Sequence, residues 1–416
     1  MEPFVFHCPT KIVFGSGKLA EAGNEAKALG KRPLLLTGRT AMQKAGVLKK
    51  VTGLLEASGL SPVSFEKVEP NPRVETLDEA VALGLKEGCD FVIGLGGGSP
   101  MDSAKAVAAA LAASREEAGR PASAKASRGG SAGQVSVWEF TNGMLGSVRP
   151  VDGTLPTLLI SSTAATGSEG NCAAVLTKWS THEKVVLWDP KAFPTVSIVD
   201  PEVMLSLPME NTRDGVIDMM LHVLEQTVAG DGRAPFQDRA VEGMVKGMME
   251  GLDQVEARPG DLTARESLSW ASIAALLGGG PNLGRAGGFV VHNLEHPLSG
   301  YTDVSHGHGL ATLWPRYLRF VAEKKADKIA RLGRACFGVA GGGSDDEAAK
   351  KALDAMEAWQ KDHQLWFSLS NFGVTEAMLA DLAADAVRIY GGPSRVIRAP
   401  LALDRTRAQE IYRMAL

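Results

Sequence analysis

The chain has 416 residues, of which 44% are hydrophobic and 22% are charged. Those proportions are typical of an ordinary globular protein, and a chain of this length predicts two domains rather than one core. The net charge of −4 offers no electrostatic reason to bind nucleic acid or an anionic membrane. Four scattered cysteines, no signal-peptide pattern and no long apolar run favour a cytoplasmic protein.

In the first half of the chain, short β-branched segments alternate with amphipathic ones. This alternation predicts parallel βαβ units, in which ligands bind at the carboxyl ends of the strands. The predicted strands cover residues 4–14, 34–37, 63–68, 91–95, 157–160, 173–176, 185–188 and 197–199. The predicted helices cover residues 19–29, 42–57, 75–87 and 100–113.

A glycine-rich turn follows the predicted strand at 91–95. Gly96, Gly97 and Gly98 allow the backbone to come close to another group. Ser99 suits a helix N-cap and Pro100 suits the first helical position. The free N–H groups of such a helix N-terminus suit a diphosphate, although the same turn could serve only to pack helix against strand. The strand–turn–helix context favours the diphosphate.

Two other segments of the first half have loop character. Residues 161–169, SSTAATGSE, put hydroxyls and small side chains at a strand exit, where they could line a cofactor or simply form a capped turn. Residues 115–134 are polar, small and low in complexity, which predicts a surface loop within the first domain.

Helical periodicity replaces the strand pattern from about Pro201 onward. We therefore expect an α/β domain over residues 1–201 and an all-helical domain over residues 202–416, with the chemistry in the cleft between them. The predicted helices of the second domain cover residues 211–228, 237–256, 264–277, 287–296, 310–322, 345–363, 376–389 and 405–414.

Histidines are concentrated in this helical half. Asp218 and His222 are four residues apart, and so are His292 and His296, so each pair should project from one face of a helix. Together Asp218, His222, His292 and His306 can supply one carboxylate oxygen and three imidazole nitrogens, a set that suits Fe²⁺, Zn²⁺ or Mn²⁺. The sequence thus predicts a metal site in the second domain.

These motifs resemble, in content and order, those of the iron-containing (group III) alcohol dehydrogenases. The matching runs are GGGSPMDSAK, SSTAATGSE, the D-x-x-x-H at 218–222 and H-x-x-x-H-P-L-S-G-x-x-x-x-x-H-G from His292. The resemblance implies a dehydroquinate-synthase-like fold with a Rossmann-type α/β domain and an all-α domain, and a homodimer. It also implies reversible hydride transfer between a small alcohol and its aldehyde or ketone, with Fe²⁺ (or Zn²⁺) and a nicotinamide cofactor.

The resemblance further implies roles for individual residues. The metal ligands would be Asp218, His222, His292 and His306. His296 would be the unliganded catalytic histidine, used for proton relay or nicotinamide contact. The cofactor would be bound by Gly97, Gly98, Ser99, Asp102, Ser162, Thr163 and Lys184. One departure is that the family run P-T-T-A-G-T-G-S-E lacks its proline and one glycine here, while both hydroxyl positions survive.

The end of the second predicted α/β strand bears on the choice of cofactor. NAD-binding folds place an acid there, which accepts the ribose 2′-OH and repels a 2′-phosphate. Here Gly38 occupies that position. Arg39 follows it and can form an ion pair with a phosphate, and Thr40 can donate a hydrogen bond to one. We therefore expect NADP(H) to be preferred over NAD(H).

Related enzymes of the same fold remain as alternatives at this point. A maleylacetate-reductase-like, dehydroquinate-synthase-like or polyol-phosphate-dehydrogenase-like activity requires several basic side chains for an anionic substrate. The helical half offers Arg213, Arg285 and Arg316, which form no cluster in sequence. A catalytically silent nucleotide-binding protein is disfavoured because no proposed ligand position is substituted.

Overall fold

The computed structural model describes residues 2–119, 134–141, 149–230, 234–285 and 287–416. The chain divides into two compact units, one formed by His7–Leu207 and the other by Pro208–Leu416 together with the N-terminal residues through Phe6. The described strands of the two sheets lie in the first unit, and the second is helical. This confirms the predicted combination of an α/β domain with an all-α domain.

The centre of the first unit is a six-stranded parallel sheet with the strand order β1-β8-β5-β4-β2-β3. Two further strands, β6 and β7, form a separate antiparallel pair, so the predicted strands at 173–176 and 185–188 do not join the main sheet. The strands are β1 Lys11–Phe14, β2 Pro33–Gly38, β3 Val63–Val68, β4 Phe91–Gly96, β5 Thr157–Ser161, β6 Ala173–Lys178, β7 Glu183–Trp188 and β8 Val196–Val199.

Both faces of the main sheet are covered, which explains why its inner strands are apolar throughout rather than alternating. Leu34 and Leu36 belong to the core on one face. Leu35, which lies between them, belongs to the core on the other. Successive side chains of a strand point to opposite faces of the sheet, so neighbouring residues enter different cores when helices pack on both faces.

The helices of the first unit are α1 Ala22–Lys27, α2 Ala41–Lys44, α3 Val47–Ala57, α4 Val74–Lys86 and α5 Gly98–Gly119. The prediction of one helix over 42–57 was wrong, because Gly46 has φ 73° and separates α2 from α3. The predicted strand at 4–14 is reduced to β1. Helix α5 starts before Ser99, so Ser99 is not its N-cap.

Helix α5 also ends later than predicted. Residues 115–119 of the expected surface loop are its last turn, and residues 120–133 lie outside the described part of the chain.

The second unit contains eight longer helices among the described residues: α6 Met209–Ala229, α7 Pro235–Ala257, α8 Leu262–Leu276, α9 Val290–Thr302, α10 His306–Cys336, α11 Asp345–Asp362, α12 Leu379–Tyr390 and α13 Arg405–Ala415. The helix predicted at 287–296 starts later and continues through Pro297 to Thr302. Helix α10 starts four residues before the predicted 310 and continues well beyond the predicted 322. Among the described helices, none combines the length and apolarity that crossing a membrane would require.

Candidate functional site

Three helices of the second unit bring the predicted metal ligands together. Asp218 and His222 lie one turn apart on α6, and His292 lies on α9. His306 is the first residue of α10. Asp303, in a left-handed conformation with φ 57°, ends α9, so the chain turns within a few residues and His306 returns beside His292. The ring centroids of these two histidines are 5.1 Å apart.

The side chains converge on one carboxylate oxygen. The Nε2 atoms of His222, His292 and His306 lie 3.4, 3.5 and 3.8 Å from Asp218 Oδ1. Metal–ligand bonds of about 2.1 Å in a tetrahedral arrangement separate neighbouring ligand atoms by about 3.4 Å. The ligand atoms of Asp218, His222 and His292 all lie within 4.8 Å of one another, which fits a single ion, and His306 adjoins this group through its 3.8 Å separation from Asp218.

Burial gives a second test of that fit. Asp218 Oδ1 and His292 Nε2 are both inaccessible to solvent, and neither has a hydrogen bond of ordinary geometry among the described residues. Buried polar atoms without partners are rare, since each costs about 1–3 kcal/mol. Two such atoms aimed at each other across 3.5 Å are explained when a cation lies between them.

Charges at the site favour an ion as well. The pKa of Asp218 is lowered, because the three neighbouring histidines outweigh the opposing effect of burial. Burial lowers the pKa of His222 to about 4, which leaves a neutral imidazole with a free lone pair. Burial also acts to lower the pKa of His292, but the carboxylates of Glu225 and Asp218 raise it to about 10, so a metal ion that binds this imidazole must displace a proton.

Two buried glutamates orient the histidines from behind. Glu225 Oε1 contacts Nδ1 of His292, and Glu295 Oε2 contacts Nδ1 of His306. Both glutamates are 0% exposed. A carboxylate on the far nitrogen fixes the tautomer of a ligating histidine and raises its basicity. Each glutamate thereby directs the Nε2 atom of its partner toward Asp218.

Sequence reasoning missed both glutamates, although a signal existed. Each follows a histidine by three residues on the same helix (His222 to Glu225, and His292 to Glu295), and so lies on the buried helix face. A Cβ on Gly309 would lie 2.7 Å from Cγ and 2.8 Å from Oε1 of Glu295, so the last glycine of the HGHG run provides the space for that side chain.

His296 lies close to the four proposed ligands but has a different partner. Its Nδ1 contacts the hydroxyl of Tyr390, the last residue of α12. The ring centroid of His296 is 5.7 Å from that of His306. Glu295, His296 and His306 could in principle form a second ligand group, but the oxygens of Glu295 already bind His306 and the hydroxyl of Ser299. The group around Asp218 is therefore the better metal site.

The remaining histidine of the cluster and the basic residues have other partners. His308 Nδ1 lies 2.8 Å from Asp214. Arg213 pairs with Glu256 at 2.5 Å. Arg285 pairs with Asp238. Arg316 stacks on Trp366 and donates to two backbone carbonyls. The three arginines considered for an anionic substrate thus have their own contacts and do not form one basic cluster.

In the first unit, the glycine turn packs directly on the loop after β5. A Cβ on Gly97 would lie 3.2 Å from the Thr163 hydroxyl oxygen, and one on Gly98 would lie 2.6 Å from a methyl of Thr166. The backbone N–H of Ser162 donates to the carbonyl of Gly96 at 2.9 Å. The structure thus brings the predicted diphosphate turn and the predicted hydroxyl loop together at the carboxyl ends of β4 and β5.

Asp102 lies beneath these loops rather than at their surface. Its carboxylate accepts hydrogen bonds from the hydroxyl of Ser168 at 2.7 Å and from the N–H of Val175 at 2.8 Å. Lys105, 1% exposed, donates to the same serine hydroxyl at 2.8 Å. Asp102 therefore anchors the hydroxyl loop to α5. Lys184 lies on β7 and is 4% exposed.

The predicted 2′-phosphate residues follow β2. Gly38 is the last residue of the strand, and a Cβ there would meet only the carbonyl of Val68, at an ordinary contact of 3.6 Å. Arg39 is 66% exposed in its side chain and pairs with Glu69 at 3.1 Å. Thr40 precedes α2 without capping it through its side chain. Glu69 was not recognised from the sequence.

Two family profiles match the chain and together span most of it. Residues 9–201 match the family described as iron-containing alcohol dehydrogenase. Residues 212–415 match the C-terminal part of the Fe-containing alcohol dehydrogenase family.

Individual relatives are similar along nearly their whole length. A probable NADH-dependent butanol dehydrogenase 1 from Bacillus subtilis (strain 168) is 30% identical over 388 residues, which cover 93% of this chain and 94% of the relative. The NADPH-dependent aldehyde reductase YqhD of Escherichia coli (strain K12) is 28% identical over 376 residues, 90% of each chain. The solved structure of NADH-dependent butanol dehydrogenase A from Thermotoga maritima superposes with a TM-score of 0.87 at 32% identity, covering 100% of this chain and 99% of that one.

Proposed function

The chain belongs to the iron-containing alcohol dehydrogenase family, and we propose how its own residues divide the work of that family's reaction. It is a metal-dependent, nicotinamide-linked alcohol dehydrogenase and aldehyde reductase. The proposed ligands of its metal ion are Asp218, His222, His292 and His306. The observation that carries this assignment is the convergence of three Nε2 atoms within 3.8 Å of Asp218 Oδ1.

When bound, the divalent ion supplies Lewis acidity to the substrate oxygen, and the nicotinamide carries the hydride. The protein's contribution is a rigid and largely dry ligand set. Asp218 brings the negative charge, and Glu225 and Glu295 hold two imidazoles in the ligating tautomer. His306 is 25% exposed in its side chain, against 5–9% for the other three ligands. The solvent-facing side of the set, where a substrate oxygen can approach, is therefore at His306.

We propose that His296 transfers the proton that the substrate oxygen gains or loses in the reaction. Its imidazole is 6% exposed and contacts a tyrosine hydroxyl, so it is held in one orientation and can carry a proton without being a metal ligand. A positioned histidine is the commonest general acid–base group in enzymes. During aldehyde reduction His296 would deliver the proton to the substrate oxygen, which thereby becomes the alcohol hydroxyl, and during oxidation it would accept that proton.

We assign the cofactor to the first unit, within residues 1–201, and the ion to the second, within residues 202–416. The proposed cofactor contacts are Gly38, Arg39, Thr40, Gly97, Gly98, Ser99, Ser162, Thr163 and Lys184, with Asp102 acting as the anchor of the loop. What supports this is the packing of the glycine turn on the hydroxyl loop at the strand ends where parallel sheets bind dinucleotides.

NADP(H) is proposed as the preferred cofactor. Support comes from Gly38, which offers no carboxylate to a ribose 2′-OH, and from the exposed guanidinium of Arg39 beside it. Of the three relatives described above, two are named for NADH and one is named for NADPH. Measuring kcat/KM with both cofactors tests the preference, and a higher value with NAD⁺ would overturn it.

A cytoplasmic homodimer is the proposed assembly and location. Phe4, Val5 and Phe6 are 46%, 86% and 55% exposed. Three consecutive large apolar residues in solvent are a surface that a second copy would cover. Light scattering of the purified protein measures the mass directly.

The ligand set is tested by replacing His292 with alanine in anaerobically purified protein. Metal content and aldehyde reduction should both be lost. His308→Ala provides the control, because His308 lies two residues from a proposed ligand but contacts Asp214 instead. A His292→Ala protein with full metal occupancy would refute the assignment.

A further inference from the structure

The carboxyl ends of β2 and β3 lie side by side at the edge of the main sheet. Leu36 pairs with Phe65, but Gly38 pairs with Val68, so β3 contains one extra residue over this interval. Such a bulge reverses the side on which the following side chains emerge, and bulges are frequent beside functional sites. Glu69 is the residue directly after the bulged strand, next to the end of β2.

Glu69 is held in place more firmly than its partner Arg39. Its Oε1 accepts a hydrogen bond from the Thr76 hydroxyl at 2.9 Å and pairs with Arg39 at 3.1 Å. The side chain of Glu69 is 12% exposed and that of Arg39 is 66% exposed. Oε2 of Glu69 is buried without a hydrogen-bond partner among the described residues. The carboxylate is thus a fixed charge, while the guanidinium can move.

We propose that Glu69 is a specificity-determining residue, which supplies from β3 the negative charge that β2 lacks at Gly38 and so sets the discrimination between NADP(H) and NAD(H). The proposal rests on the proposed function, in which the dinucleotide lies along the ends of β4 and β2. A bound 2′-phosphate must either pair with the Arg39 guanidinium together with the Glu69 carboxylate or replace that carboxylate as the partner of Arg39. Replacement leaves the largely buried Glu69 carboxylate without its cation, which is unfavourable.

The direction of the effect follows from charge. Arg39 and Glu69 together are neutral, so a phosphate beside them gains less than it would from an arginine alone. Removing the carboxylate frees Arg39 for bidentate pairing with the phosphate. NAD(H) carries no charge at the 2′ position, so its binding should change little. Glu69 therefore opposes the preference that Arg39 creates.

The test compares Glu69→Gln with the wild-type enzyme. Glutamine preserves the side-chain length and an acceptor for Thr76. The probes are 2′,5′-ADP and 5′-AMP, which differ only in the 2′-phosphate, bound to the full-length protein in a calorimeter. We expect the Kd of 2′,5′-ADP to fall about tenfold, as for the loss of one nearby like charge. The Kd of 5′-AMP should stay within about twofold, and the ratio of kcat/KM values should move toward NADP(H).

Glu79→Gln is the matched control. Glu79 lies on α4 and pairs at 2.8 Å with Lys67, which lies on β3 two residues before Glu69. Both side chains are about 60% exposed. This variant removes one negative charge from the same region and should leave both fragments unaffected. If the Kd of 2′,5′-ADP fell tenfold in both variants, the cause would be the loss of any negative charge in this region, and the proposal would be overturned.

Other outcomes are equally decisive. An unchanged or weaker affinity of Glu69→Gln for 2′,5′-ADP overturns the proposal, and so does an equal loss of both fragments. The proposed NADP(H) preference fails separately, if the wild-type enzyme uses NAD⁺ better. In that case a tenfold shift toward NADP(H) in Glu69→Gln still supports the role of Glu69, and Arg39→Ala in the Glu69→Gln background should abolish the shift.

Discussion

Glu225 and His292 form a buried contact that joins two of the helices that carry the proposed metal ligands. Glu225 lies on α6, two turns after Asp218, and its carboxylate contacts Nδ1 of His292 and accepts a hydrogen bond from the N–H of Val291 at 2.6 Å. One side chain thus fixes the start of α9 and the direction of the imidazole. The proposed metal site therefore depends on a residue that is not itself a proposed ligand.

Replacing Glu225 with glutamine tests that dependence. The amide has similar volume but no charge, so His292 should lose its preferred tautomer and part of its basicity. Second-sphere changes of this kind reduce metal affinity about 10- to 100-fold. Metal titration of the apo-protein measures the affinity. Glu250→Gln, at an exposed position of α7, should leave it unchanged, and equal affinities in the two variants would contradict the orienting role.

Tyr390→Phe tests the positioning of His296. The variant removes only the hydroxyl that contacts Nδ1 of the histidine. We expect kcat to fall about tenfold with KM nearly unchanged, at the lower end of proton-transfer contributions. The pH profile of kcat should shift, and metal content should not. Tyr301→Phe, which removes a hydroxyl bonded to Asp385 at 3.0 Å, is the control and should preserve both kcat and the profile.

Gly98→Ala probes the contact between the two loops that are proposed to bind the cofactor. The added methyl would lie 2.6 Å from a methyl of Thr166, and one of the two loops would have to move. We expect cofactor affinity to fall at least tenfold while metal binding is retained. Gly53→Ala adds the same methyl to helix α3, where nothing lies within 4 Å. That control should stabilise the protein by about 0.5–1 kcal/mol and leave cofactor binding alone.

Lys105 should make stability depend on pH in the alkaline range. Burial lowers its pKa to about 8, despite the opposing charge of Asp102. An unfolded lysine titrates near 10.5, so between pH 8 and 10.5 the unfolded chain binds more protons than the folded one. The free energy of unfolding contributed by this group therefore rises with pH across that window, and below pH 8 the full penalty of the buried charge applies.

Denaturant unfolding of wild type and Lys105→Met at pH 7.5, 9 and 10.5 measures this contribution. The difference between the two proteins should change across the window, with wild type gaining relative to the variant as pH rises. A difference that stays constant would show that folding does not shift the pKa of Lys105. The comparison cancels the titration of the other groups, which both proteins share.

The cofactor turn illustrates how far local patterns lead. Three glycines after an apolar strand predicted a tight turn into a helix, because backbone freedom and capping depend on neighbouring residues. The same reasoning failed at Ser99, since α5 starts one residue before it at Gly98. It also failed for the helix at 42–57, where Gly46 at φ 73° interrupts a pattern that periodicity alone reads as continuous.

From its sequence alone this protein is determined to have an α/β domain followed by a helical one, and to belong to a metal-dependent dehydrogenase family. Spacing within a helix is a local property, so Asp218 and His222 could be paired without coordinates. Tertiary structure decided which distant side chains contact the other predicted site residues: Glu225 contacts His292, Tyr390 contacts His296 and Glu69 contacts Arg39. These contacts join residues between 30 and 94 positions apart, and they depend on how helices and strands pack, which no local pattern records.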